Sequence, residues 1–260
     1  MILSKQIING FIQTELELFK KQFDESPVSE IQDERSLAIA WVSYYFKELV
    51  SVENIAAIEN YVTEVNYSKN YKTHGWYRIS ALQSASFILS NNTEHRDTLL
   101  NHISCSQGWA RGFIIESAGI ICPLLDFNNK YLRESTELNL KYSHGCDEQN
   151  TVLFLCTKGN AIDKQNWLKS MMKTEKEYHL KFFEGLIKSG KLYQSGFFVR
   201  AFNNAKSYFI FKILSEPILA IRQPELFDDI KITFDDLIAL EKKHPLNDFY
   251  IDLDFLNDTN

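Results

Sequence analysis

The sequence is poor in the residues that build special architectures. Among 260 residues it holds four cysteines, five prolines and ten glycines. Cys105, Cys122, Cys146 and Cys156 form no C-x-x-C pair, and a chain long enough to bury a core needs no covalent staples. They are expected as reduced, mostly buried thiols. So little Pro and Gly excludes collagen-like and low-complexity chains. Long apolar runs are missing too: Phe113, Ile114 and Ile115 are followed by Glu116, and the stretch from Tyr208 to Phe211 by Lys212. No segment reads as membrane-spanning. The N-terminus has no uninterrupted apolar core and turns acidic where a signal peptide stays apolar, so a cytoplasmic location is expected. The phosphate-cradling G-x-G-x-x-G and G-K-[ST] patterns, the nucleophile elbow G-x-S-x-G, the metalloprotease H-E-x-x-H and the calcium-loop frame are all absent. No cofactor is expected.

What is present is apolar and aromatic. Hydrophobic residues make up 45% of the chain, including 19 Phe, 12 Tyr and 4 Trp, enough to fill one large core or two small ones. Their spacing is helical. Ile8, Ile12, Leu16, Phe19 and Phe23 predict a helix from about Leu3 to Phe23. Ser29 with Gln32 reads as a capping box opening a helix that carries Leu37, Trp41, Tyr44 and Tyr45 through about Leu49. Ser51 caps the next, marked by Ile55, Ile58, Val62 and Val65, with a polar connection from Asn66 to Thr73. A fourth helix is expected from His74 to Ser90 on Trp76, Ile79, Leu82, Ala85 and Leu89, and a fifth from a Thr93 cap to Ile103. Gly108, Gly112 and Gly119 lie along one further helix and permit close packing, and Asn129 to Tyr142 reads as another.

The second half is less regular. The apolar run Thr151 to Thr157 fits a buried helical turn or a strand, and is read as helix. Asp163 is a candidate cap for a helix carrying Trp167, Met171, Tyr178, Phe182 and Leu186 to Ser189-Gly190. A partner from Leu192 to Leu214 carries Phe198, Phe202, Ala205, Phe209 and Ile213, and a last helix opens at Thr233 and closes before His244-Pro245. The fold class is therefore all-α: consecutive antiparallel helical hairpins forming a bundle or a short, irregular repeat-like array. A single domain over 1–260 is expected, with 1–142 and 160–260 as the alternative subdivision.

The net charge of −6 disfavours direct nucleic-acid binding, but its distribution is uneven. Residues 1–66 carry 5 Lys/Arg against 11 Asp/Glu, residues 131–223 carry 14 against 9, and residues 224–260 carry 3 against 10. Both ends are acidic around a basic middle. In the C-terminal segment Asp228, Asp229, Asp235, Asp236, Asp248, Asp252 and Asp254 alternate with apolar residues such as Phe249 and Phe255. That mixture suits a basic protein partner, with charge at the rim and apolar anchors within. The plain alternative is a solvated acidic end docked through its aromatics.

Two smaller constellations carry possible chemistry. Arg96-Asp97-Thr98-Leu99-Leu100-Asn101-His102 places a His six residues after an Arg. This spacing resembles the motif of the all-helical HEPN-type ribonucleases, which implies His102 as the group that shuttles a ribose hydroxyl proton and Arg96 as the charge that stabilises the phosphorane. Against it stands a solvated Arg and a helix-face His. His144, Cys146, Asp147 and Glu148 fall close together, with His95 and His102 as a separate pair, but neither group reaches the three or four ligands that zinc needs. No metal is expected.

As a whole, an acidic, all-helical chain rich in Tyr, Phe and Asn and empty of strong catalytic motifs resembles the larger immunity proteins of bacterial polymorphic-toxin and contact-dependent inhibition systems. Gly75-Trp76-Tyr77 and Gly108-Trp109-Ala110-Arg111 are its most distinctive segments. The resemblance implies a protein without enzymatic activity that binds one cognate toxin, a basic protein such as a nuclease, and occludes its active site or substrate groove. A HEPN-like ribonuclease and a helical scaffold are the alternatives.

Overall fold

A computed structural model of the chain describes residues 5–25, 30–67, 76–106 and 108–142, and beyond them Leu153, Thr157, Lys158, Asp163, Asn166, Trp167, Ala205, Lys206, Tyr208, Phe209 and Lys212. The described residues are all-α. They form seven bounded helices: α1 (Lys5–Glu25), α2 (Glu30–Tyr45), α3 (Val52–Tyr67), α4 (Ser80–Ser90), α5 (Thr93–Cys105), α6 (Gly108–Ile121) and α7 (Lys130–Tyr142). Single 3₁₀ turns precede α3 (Lys47–Leu49), lead into α4 (Trp76–Ile79) and follow α6 (Cys122–Leu124). Where a fourth helix was expected to begin at His74, the chain thus uses a 3₁₀ turn and starts α4 at Ser80. The one extended contact among the described residues is an isolated parallel bridge between Asp126 and Lys158, in which each flank donates a backbone N–H to the other.

The central element is α4, and its composition explains why. Its sequence SALQSASFILS contains no charged residue, and every position from Ser80 to Leu89 is buried. A helix without a charged face has no side to give to water, so it is surrounded. It packs against α2, α3, α5 and α6, while α1 lies on α2 and α7 on α5. Small residues allow the approach: Ser84 and Ala85 on α4 meet a helix carrying buried Gly112, Ser117, Ala118 and Gly119, and the Ser84 hydroxyl donates to the Ser117 carbonyl at 2.7 Å.

The expected apolar stripes are the buried ones. Ile8, Ile12, Leu16 and Phe19 of α1, Leu37 and Trp41 of α2, and Ile58, Val62 and Val65 of α3 all lie in one core. Each large side chain buried this way contributes about 1.5–3 kcal/mol. The core also takes in distant residues. Phe209 meets Phe11 edge-on with centroids 4.9 Å apart and lies about 6 Å from Trp41 and Phe46, so this distant ring packs between α1 and α2. Trp167 is buried and donates its indole N–H to Glu137 of α7 at 3.3 Å.

Helix ends agree with the sequence signals at some positions and depart at others: α2 ends at Tyr45, and a 3₁₀ turn carries the chain on to Leu49. Ser51 caps α3, its hydroxyl accepting the Asn54 N–H at 3.3 Å. The cap of α5 is Asn92, not Thr93: Asn91 closes α4 in the left-handed region (φ 59°), so the next residue turns extended and its Oδ1 accepts the His95 N–H at 3.1 Å. Asn129 caps α7 through the Leu132 N–H at 3.2 Å. Asp163 is itself helical rather than a residue outside the helix, and Leu153 is helical within the ambiguous apolar run. The Ser29 capping box and the last expected helix lie outside the described residues.

Candidate functional site

Helix α5 carries the Arg and His singled out by their spacing. Six residues on one helix place two side chains about 9 Å apart along the axis and about 120° apart around it. Arg96 is already committed: its Nη2 and Nε bind Asp97 Oδ1 at 2.7 and 2.8 Å, and its guanidinium lies 5.3 Å from the centre of the Phe87 ring on α4. His102 is partly buried, and burial pushes its pKa from 6.5 down to about 4. At neutral pH it is an uncharged and weakly basic imidazole. Its backbone carbonyl accepts the Ser106 hydroxyl at the end of the helix. The structure thus sets the two groups on different sides of α5, Arg96 in an ion pair and His102 partly buried.

No match to this chain was found among protein-family models, curated proteins or solved structures. Its function is therefore argued from the geometry of its own side chains.

The pockets among the described residues include two open ones. The first, of about 480 Å³, runs along another side of α5 and is lined by Thr93, Glu94, Asp97, Thr98, Asn101 and, from α7, Tyr131. The 93/97/101 and 94/98 spacings put these side chains on one helical face, and they include two carboxylates and no cation. The second, of about 450 Å³, lies between α1 and the start of α3 and is lined by Asn9, Gln13, Leu16, Glu17, Lys20, Ser51, Glu53, Asn54 and Ala57. Its floor is rigid. Asn9 Oδ1 accepts the Ser51 N–H at 2.6 Å and the Asn54 side-chain amide at 3.0 Å, while Asn9 Nδ2 donates to the Leu49 carbonyl at 2.8 Å. Glu53 is held below the ordinary carboxylate range by its own backbone N–H, then by the Ser51 hydroxyl, with Lys5 adding a little. Lys20 sits 4.9 Å over the Tyr61 ring.

A buried charge network was missed in sequence. Glu15 is 1% exposed, receives the Tyr208 hydroxyl at 2.8 Å and lies 3.3 Å from Arg35 Nε, which also reaches the Tyr208 oxygen at 3.2 Å. Arg35 donates as well to Gln22 at 3.4 Å. A signal for it existed, because Glu15 falls four residues after Phe11 and four before Phe19, on the apolar side of α1 where a carboxylate needs a partner. Arg111, within a distinctive Gly-Trp-Ala-Arg segment, is 3% exposed and donates Nε to the Ile103 carbonyl at 3.1 Å, satisfying the last turn of α5. It serves packing.

The acidic C-terminal residues, Asp228, Asp229, Asp235, Asp236, Asp248, Asp252 and Asp254, lie outside the described residues, as does the His144 to Glu148 cluster. Among the described residues no three His, Cys, Asp or Glu side chains converge on a metal position, Cys105 is an exposed thiol and Cys122 a buried one, and no helix is long and apolar enough to cross a membrane.

Proposed function

We propose that this chain is a non-catalytic binding protein that neutralises a cognate toxin, most simply a basic nuclease, by occupying its active site or substrate groove. One observation carries the reading: the α5 pocket presents the exposed Glu94 among hydroxyl and amide groups on an open helix face, beside Asp97 in its ion pair with Arg96. Such a face receives the Lys or Arg side chains that a nuclease uses to hold phosphate, and its potential steers a cationic partner toward it. The acidic C-terminal aspartates extend the same chemistry in the sequence. As an enzyme the chain has less in its favour, since Arg96 is paired and His102 is shifted far below the pH at which a general base works well.

The test is to co-purify the tagged chain from its native host lysate at moderate salt and identify what stays bound. The expected result is one stoichiometric basic protein that is toxic when expressed alone and harmless together with this chain. Loss of that protection in a Glu94→Lys variant that still folds assigns the α5 face. If no partner is retained, and the purified chain cleaves RNA in a manner abolished by His102→Ala, the binding reading is wrong and the ribonuclease resemblance holds.

A further inference from the structure

A buried side chain held at both ring nitrogens is neither member of the Arg96/His102 pair but His95, at the start of α5. It is 3% exposed and joins its own helix, α5, to α3 and α4. Its Nδ1 lies 2.8 Å from Ser86 Oγ on α4, its Nε2 lies 3.2 Å from Thr63 Oγ1 on α3, and its backbone N–H is bound by the Asn92 cap. Glu59 of α3 is bound by the Ser90 hydroxyl and, at 3.5 Å, by the Asn92 amide, so the α4–α5 turn is tied to α3 at two adjacent points.

Hydrogen-bond accounting assigns the tautomer. Ser86 is fully buried, and His95 Nδ1 is its hydroxyl's partner among the described residues. A buried hydroxyl that cannot donate costs about 1–3 kcal/mol. Ser86 therefore donates to an unprotonated Nδ1, the ring proton sits on Nε2 and points to Thr63, and the exposed Thr63 hydroxyl gives its own proton to water. This arrangement also means that Thr63 is not activated as a nucleophile, because the ring nitrogen facing it already holds a proton.

We propose that neutral His95 is an acid-sensitive latch that holds α3 and α5 onto α4, and that its protonation releases the α4–α5 turn. A cationic ring has two N–H donors, so Nδ1 can no longer accept from Ser86, whose hydroxyl is left buried without an acceptor. Burial opposes the charge as well and lowers the His95 pKa. The charges acting the other way are Glu94 on its own helix and Glu59 on α3, both outweighed by burial. Helix α4 contributes no ionisable residue, and among the described residues α6 and α7, also packed on α5, place no charge that acts on the ring. In the opened state the ring is solvated and takes a proton at its ordinary value of 6.5. Opening is therefore unaffected by pH above that value and becomes easier as pH falls below it. The inference is independent of any partner.

Native-state amide exchange on the full chain tests it, comparing about pH 7.5 with about pH 5 in wild type, His95→Gln and a His102→Gln control. Protection at the α4–α5 turn, corrected for intrinsic exchange, is expected to fall with acid by up to about tenfold per pH unit in wild type and in the control. The fall should vanish in His95→Gln. Should that variant not fold, Ser86→Ala supplies the second reading, since removing the hydroxyl relieves the donor conflict and weakens the pH dependence. Nitrogen-15 shifts of the ring add a third, with Nδ1 expected unprotonated at neutral pH. A pH-independent turn in wild type, a dependence that survives in His95→Gln, or a proton found on Nδ1 overturns the latch.

Discussion

At the scale of single residues, the buried polar groups of Glu15, Arg35 and Tyr208 pair with one another, and their neighbours set their chemistry. Glu15 and Arg35 lose most of their hydration and recover it through each other and through Tyr208. Removing one member of such a set costs more than the set contributes, because the survivor keeps its desolvation penalty. We predict that Glu15→Ala destabilises the fold by about 3–5 kcal/mol and Tyr208→Phe by about 1 kcal/mol, measured by urea denaturation. His102 follows from burial alone. Its folded-state value near 4 lies below the ordinary 6.5, so the folded state prefers the neutral ring. Its contribution to stability is full above about pH 6.5 and is lost as pH falls from there toward about 4. A ring-proton NMR titration is expected to place its midpoint near 4, and a midpoint near 6.5 contradicts the buried placement.

At the scale of elements, helix type and extent were legible in the sequence, and terminal detail less so. The three-four spacing of Ile8, Ile12, Leu16 and Phe19 marks a buried stripe because a helix repeats every 3.6 residues, whatever surrounds it. Which of Asn91, Asn92 and Thr93 caps α5 depends instead on backbone angles, and the left-handed Asn91 moves the cap to Asn92. Replacing Asn92 with Ala removes an acceptor for His95 N–H and a donor to Glu59, so a loss of about 1–2 kcal/mol is expected by thermal or chemical denaturation. A Thr93→Ala variant, which leaves that cap in place, should be close to neutral. The 3₁₀ turn leading into α4 was not legible either, since one turn of tighter helix carries the same apolar spacing as the helix it precedes.

At the scale of the whole molecule, acidic ends flank a more basic middle, and the neutral helix α4 lies between them in sequence and at the centre of the described packing. If the acidic surfaces meet a basic partner, reversing Asp235, Asp236, Asp252 and Asp254 to Lys should slow association by about tenfold or more at low salt, an effect that shrinks as salt rises. Stopped-flow association at two ionic strengths measures it, and unchanged kinetics remove these residues from the interface. A parallel reversal at Glu94 separates the contribution of the α5 face.

Composition and periodicity determined on their own that the chain is all-helical, which faces of α1 to α3 are buried, and that no phosphate-cradling or metalloprotease motif is present. These follow from local rules: a stripe needs only its own spacing, and a cap only its neighbours. What tertiary structure decided was which residues meet. Nothing local links Glu15 to Arg35 and Tyr208, or His95 to Ser86 and Thr63, because each set is drawn from different helices and assembled only when those helices pack. For the same reason the Arg96/His102 spacing, read along the chain, resembled a site. Around the helix axis the two residues diverge, and Asp97 and the burial of His102 turn both to other uses.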